Sequence, residues 1–118
     1  MAVRVKRAYQ AAAPEDGMRV LVDRYWPRGV RKEEARIDAW MKQLAPSAEL
    51  IRWFGHRPER WEEFRRRYGE ELERGEARGD LAALRERAGA GTVTLVYGAR
   101  DEEHNNAVAL AAYLRDGE

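Results

Sequence analysis

Residues 93–97 read Val-Thr-Leu-Val-Tyr, and Gly98-Ala99-Arg100-Asp101 follow at once. A run of β-branched, aliphatic and aromatic residues closed by glycine predicts a strand buried on both faces. Toward the N-terminus, Met18–Asp23 carries a second such run, Val20-Leu21-Val22. The long segment between these runs has helical spacing. A helical crossover joins parallel strands, so 20–23 and 93–97 are expected side by side and parallel.

The intervening helices are read from periodicity and caps. Ile37, Trp40, Met41 and Leu44 recur at i, i+3, i+4, i+7 and predict a helix ending before Pro46. Ser47 is an N-cap for a short helix with Leu50, Ile51, Trp53 and Phe54, closed by Gly55. Pro58 opens the next, whose apolar stripe is Trp61, Phe64, Tyr68 and Leu72. Its other faces carry Glu–Arg pairs four apart, so the Arg65-Arg66-Arg67 run reads as a solvated face. Asp80 is expected to cap a helix with Leu81, Leu84 and Ala88, closed by Gly89. The last helix is expected over about 103–115. Trp40, Trp53 and Trp61 are expected in the core.

Outside these elements, Val3–Arg7 alternates apolar and charged residues and predicts a half-buried strand. Pro14-Glu15-Asp16-Gly17 is a turn signal. The connection between the first two strands is too short for a helical crossover, which leaves the first strand's direction open. The expected fold is a small three-layer α/β domain over residues 1–118. It has about three strands, at least one parallel pair, and four to five covering helices.

Composition narrows the chemistry. The 118 residues carry a formal net charge of +1, which argues against non-specific nucleic-acid or membrane binding. There is no cysteine, so thiolate catalysis, disulfides and cysteine-ligated metals are excluded, and a reducing, cytoplasmic setting fits. No apolar run reaches the roughly 18 residues of a membrane span, and no signal peptide is read at the N-terminus. Ser47 is the only serine and already serves as a cap; no nucleophile elbow surrounds it. The two histidines lack metal-motif spacing, and the glycines match no phosphate or dinucleotide loop, so neither metal nor cofactor is expected.

Ligands of open α/β sheets gather beyond the carboxyl ends of strands. Two such ends are visible: Asp23-Arg24-Tyr25-Trp26-Pro27-Arg28-Gly29, and Gly98-Ala99-Arg100-Asp101. Parallel strands bring these loops together. Arg24, Arg28 and Arg100 are candidates to hold an anion, because guanidinium forks match phosphate and carboxylate. Asp23 and Asp101 are candidate acid/base groups; the alternative is an Asp–Arg ion pair that joins the loops. Trp26 either stacks on a ligand or plugs its loop. His56 is either an acid/base group or a helix C-terminal cap. His104, Asn105 and Asn106 at the start of the last helix either help to hold an anion or simply cap it.

Three blocks, VLVDRYWPRG at 20–29, LAPSAELIRWFGHRPERWEEFRRRY at 44–68 and VTLVYGARDEEHNNA at 93–107, resemble those of the YeaO-like family of bacterial proteins. They cover most of the chain in the family's order. The resemblance implies a compact α/β domain and carries over no catalytic residue. Three functional readings follow from the residues. The first is a hydrolase or transferase acting on a nucleotide-like or other anionic compound. The second is a non-catalytic binding or regulatory module using the same pocket. The third, a nucleic-acid-associated protein, needs an arginine stripe on one face.

Overall fold

The structure is a computed structural model and describes residues 2–116. Four strands, β1 (Ala2–Arg7), β2 (Met18–Leu21), β3 (Ala39–Trp40) and β4 (Thr92–Tyr97), form one sheet in the order β1-β4-β2-β3. Every neighbouring pair is parallel. The expected pairing of the second run with VTLVY is present: Val20 lies beside Leu95 and Leu21 beside Val96.

β1 is parallel as well, beside β4 from Ala2–Thr92 to Arg7–Tyr97. Its connection to β2 passes over the slot that β4 fills. Ten residues reach at most about 33–36 Å, enough to return along a short strand and cross two strand spacings. Gly17 makes the final turn with φ of +62°, and a Cβ there would collide with the Thr92 carbonyl. Nearby, buried Asp16 takes hydrogen bonds from Arg19 (2.6 Å), Lys6 (3.2 Å) and the Ala13 amide (3.0 Å).

Alternation along the strands separates two apolar faces. Val20, Val22, Val93, Leu95 and Tyr97 belong to the main core, with the helices α2 (Ala48–Phe54), α3 (Trp61–Leu72), α4 (Gly75–Ala90) and α5 (Asn106–Asp116). Leu21 and Val96 face the other way, under Trp26, Val30, Ile37 and Trp40. That second cover is thin: the loop after β2 and the one-turn helix α1 (Lys32–Ala35).

Three helix expectations are corrected. Residues 37–44 do not form one helix. Arg36, in the left-handed region (φ 48°), closes α1. The chain then pairs with β2: Asp38 exchanges main-chain and carboxylate hydrogen bonds with Arg19, each 2.8 Å, and the Met41 amide reaches Leu21. Ile37 and Trp40 go to one sheet face, Met41 and Leu44 to the other. Second, Asp80 is no cap, because α4 starts at Gly75 and ends at Ala90, past Gly89. Buried Ala77 extends the Leu81–Leu84–Ala88 stripe by a turn, and its packing outweighs the roughly 1 kcal/mol that Gly79 costs a helix. Third, α5 begins at Asn106, not near 103, because the Asp101 side chain turns residues 102–104 first.

Phe64 and Tyr68 are buried as expected, but Trp61 is only half-buried. Of the arginine run, Arg66 is exposed, and Arg65 and Arg67 are partly covered; each pairs with a glutamate of the same helix. Trp53 is also half-buried, with Arg67 4.2 Å and Arg60 5.1 Å from its ring.

Candidate functional site at the strand ends

Because all strands are parallel, their carboxyl ends share one edge of the sheet. A cleft of about 440 Å³ opens there, within the roughly 300–1,000 Å³ range of small-molecule sites. Its inner wall is apolar: Phe54 and Phe64 from the helices, Ala45 and Pro46 from the chain after β3, and Ala99 after β4. Its rim holds Arg24, Tyr25, Ile51, Arg52 and His56, all exposed.

Asp23 is the charged group that the sheet itself delivers. Val20–Val22 are wholly buried, so the first polar residue after the run emerges at the sheet edge. Its Oδ2 accepts the Gly98 amide at 2.9 Å, and its Oδ1 accepts Asn106 Nδ2 at 3.0 Å. Gly98 matters for this approach, since a Cβ there would lie 3.2 Å from Asp23 Oδ2. The expected Asp–Arg ion pair between the loops is not what joins them; a main-chain amide and an asparagine do. Burial pushes the Asp23 carboxyl above its ordinary range, and the hydrogen bonds from Asn106 and Gly98 offset only part of that.

Asp101 behaves oppositely. Its Oδ1 accepts the amides of Glu103 (2.8 Å) and His104 (3.0 Å), and these hold its carboxyl below the usual range. Its Oδ2 lies 3.1 Å from His104 Nδ1. An ionised carboxylate only accepts, so Nδ1 carries a proton in this contact. The imidazole stands edge-on to Trp61, with ring centres 5.3 Å apart, and lines the cleft. Asn105 is the cap of α5: its Oδ1 accepts the Val108 amide at 2.9 Å and its Nδ2 donates to Asp101 O. Gly55 and His56 both take positive φ, 54° and 57°, which turns the chain after α2 and sets His56 at the rim.

Asp23, Arg24, His56, His104, Asn105 and Asn106 therefore meet around one cleft, while Asp101 stands behind His104. Trp26, Arg28, Gly29 and Arg100 are not part of its lining. Trp26 plugs its loop: Nε1 donates to Val30 O at 2.8 Å, and the ring packs edge-on against Trp40 at 5.5 Å. That anchor draws 26–30 over the sheet's second face, where the Arg28 carbonyl accepts from Tyr9. The pocket of three arginines is thus not assembled. Arg24 alone reaches the cleft, donating to Pro46 O at 3.2 Å, and Arg52 is the second guanidinium there. Arg7, at the end of β1, holds the loop after β4 by donating to Ala99 O at 2.8 Å.

Sequence reasoning missed Ile51, Arg52 and Tyr25. The signal was surplus: α2 is seven residues long and carries four large apolar side chains. Leu50 and Phe54 turn inward at i, i+4, which leaves Ile51 outside, 47% exposed. Ser47 is fully used, accepting the Leu50 amide and donating to Glu71 Oε2 at 2.6 Å.

No helix among the described residues is long and apolar enough to cross a membrane. Nor do those residues include a group of three or more His, Asp or Glu placed to hold a metal ion.

These features define a class of protein: a small parallel α/β domain with a cleft at its strand ends. The family described as the inactive DUF488-N3 subclade matches residues 2–117. The uncharacterized protein Rv3073c of Mycobacterium tuberculosis is 47% identical over 112 residues, which is 95% of this chain and 92% of that one. Mb3100c of Mycobacterium bovis gives the same values. The uncharacterized protein YeaO of Escherichia coli is 38% identical over 115 residues, 98% of each chain. The chain belongs to this YeaO-like family, the inactive DUF488-N3 subclade. No solved structure matches it.

Proposed function

We infer that the strand-end cleft binds a small organic anion without converting it, in a cytoplasmic binding or regulatory module. One observation carries this reading: Arg24 and Arg52 stand at the mouth of an apolar cleft, and neither forms an ion pair among the described residues. Unpaired guanidinium groups beside an apolar wall suit a ligand with a carboxylate or phosphate and a hydrophobic body. The absence of turnover is supported by the family's description as inactive and by the engagement of Asp101. Both Asp101 oxygens serve the turn and His104.

A second reading, an acid–base hydrolase or transferase, is favoured by Asp23, whose carboxyl is raised and which has no cation beside it among the described residues. His104, oriented by Asp101, would be its partner. A thermal-shift screen of carboxylate and phosphate metabolites separates the two. The binding reading expects saturable stabilisation by one chemical group of anions, with the bound compound recovered unchanged after hours by NMR. Conversion of the compound would establish the enzyme. Stabilisation by none of the anions would remove both.

A further inference from the structure

We propose that the ligand is amphoteric: a flat or slender apolar body with an ammonium or other N–H donor at its inner end and a carboxylate or phosphate at its outer end. This rests on the reading of the cleft as a small-anion site and adds the inner half.

The charges of the cleft are ordered by depth. Arg24 and Arg52 are exposed, at the rim, together with Tyr25 and Ile51, which are 78% and 47% exposed. Asp23 is half-buried, at the meeting of the β2 and β4 ends with α5. The apolar wall of the same cleft includes Phe54, Phe64 and Ala99. An anion set against the more covered Asp23 carboxylate would be repelled, whereas at the rim it meets two guanidinium groups. A ligand seated along the cleft with its anion outward therefore places its other end against Asp23.

What Asp23 can accept follows from its hydrogen bonds. Each carboxylate oxygen has about two lone-pair sites, and each here uses one, for Gly98 N or for Asn106 Nδ2. Acceptor capacity remains on both oxygens, and no lysine or arginine neutralises them among the described residues. The two fixed donors also lock the rotamer, so the carboxylate is a preorganised acceptor for N–H. Exposed Tyr25 and Ile51 gain cover when an apolar body enters, as expected of hydrophobic side chains gathered at one site.

The test is calorimetric titration of the intact chain with three matched probes: para-aminomethylbenzoate, para-methylbenzoate and para-methylbenzylamine. The first has both charges, the second only the anion, the third only the cation. The proposal expects the amphoteric probe to bind about tenfold tighter or more than either partner, the value of one charge-assisted hydrogen bond. Arg52→Ala should remove its advantage over the amine, and Asp23→Asn its advantage over the benzoate; the wild-type series decides should Asp23→Asn unfold. If para-methylbenzoate binds as tightly as the amphoteric probe, the inner donor end is wrong while the anion site stands. If the amine binds as tightly, or none of the three binds, the proposal fails.

Discussion

The Gly98 amide donates to Asp23 Oδ2 at 2.9 Å, which ties the end of β4 to the end of β2. Asn106 completes the junction by donating both to Asp23 Oδ1 and to the Val22 carbonyl, at 3.0 and 3.1 Å. Two loops and a helix start thus converge on one carboxylate. That junction, in the wall of the cleft, carries a charge that burial disfavours.

The first prediction concerns that charge. The Asp23 carboxyl should titrate above the ordinary 3.8, as followed by side-chain carboxyl NMR. Its folded value is raised, so the folded protein holds the proton longer than the unfolded chain does. The stability linked to Asp23 is present below the unfolded pKa and is lost as pH rises through the folded pKa. Asp101 has the opposite sign, because its folded value is lowered. Its contribution is present above the unfolded pKa and disappears as pH falls through the folded one. A titration of Asp23 at or below 3.8 would mean that its carboxyl is solvated and the junction of β2, β4 and α5 is open.

Gly17 should tolerate no side chain. Its φ of +62° strains an L residue, and a Cβ would strike the Thr92 carbonyl at the start of β4. Left-handed strain alone costs about 1–3 kcal/mol. Gly17→Ala is therefore expected to lower unfolding free energy by at least about 2 kcal/mol in urea. A change below about 0.5 kcal/mol would show that the β1–β2 connection takes another path.

Trp61 links the core to the cleft. Its ring stacks on Phe64 with centres 5.6 Å apart and meets His104 at 5.3 Å. Full truncation of a buried aromatic costs about 3–5 kcal/mol, and this ring is half-exposed, so Trp61→Ala should cost about 2–3 kcal/mol. The His104 ring resonances should shift as well. Stability loss with unmoved His104 resonances would break the proposed link between core and cleft.

What was legible in the sequence divides along physical lines. β2 and β4 were readable because continuous apolar runs need burial on both faces, and few arrangements supply it. Ser47 and Gly55 were readable because cap chemistry is local. β3 was not, since two residues carry no period and the surrounding spacing imitates a helix. Asp23 and Asn106 were expected at the strand ends because topology fixes where strands end, and both line the cleft. Arg28 and Arg100 were misplaced because loop direction depends on distant anchors: Trp26 on Trp40, and Arg7 on Ala99. Arg52 stayed hidden because which side of a short helix faces a cleft is settled by tertiary packing, not by spacing.

Amide chemical-shift mapping decides whether small anions bind at the strand ends. Titration of the chain with phenyl phosphate should give saturable shifts at Tyr25, Ile51, Arg52, Ala99 and Asn106, lost in the Arg24→Ala/Arg52→Ala double variant. Shifts centred instead on Arg65–Arg67 of α3, or unchanged in the double variant, would contradict it.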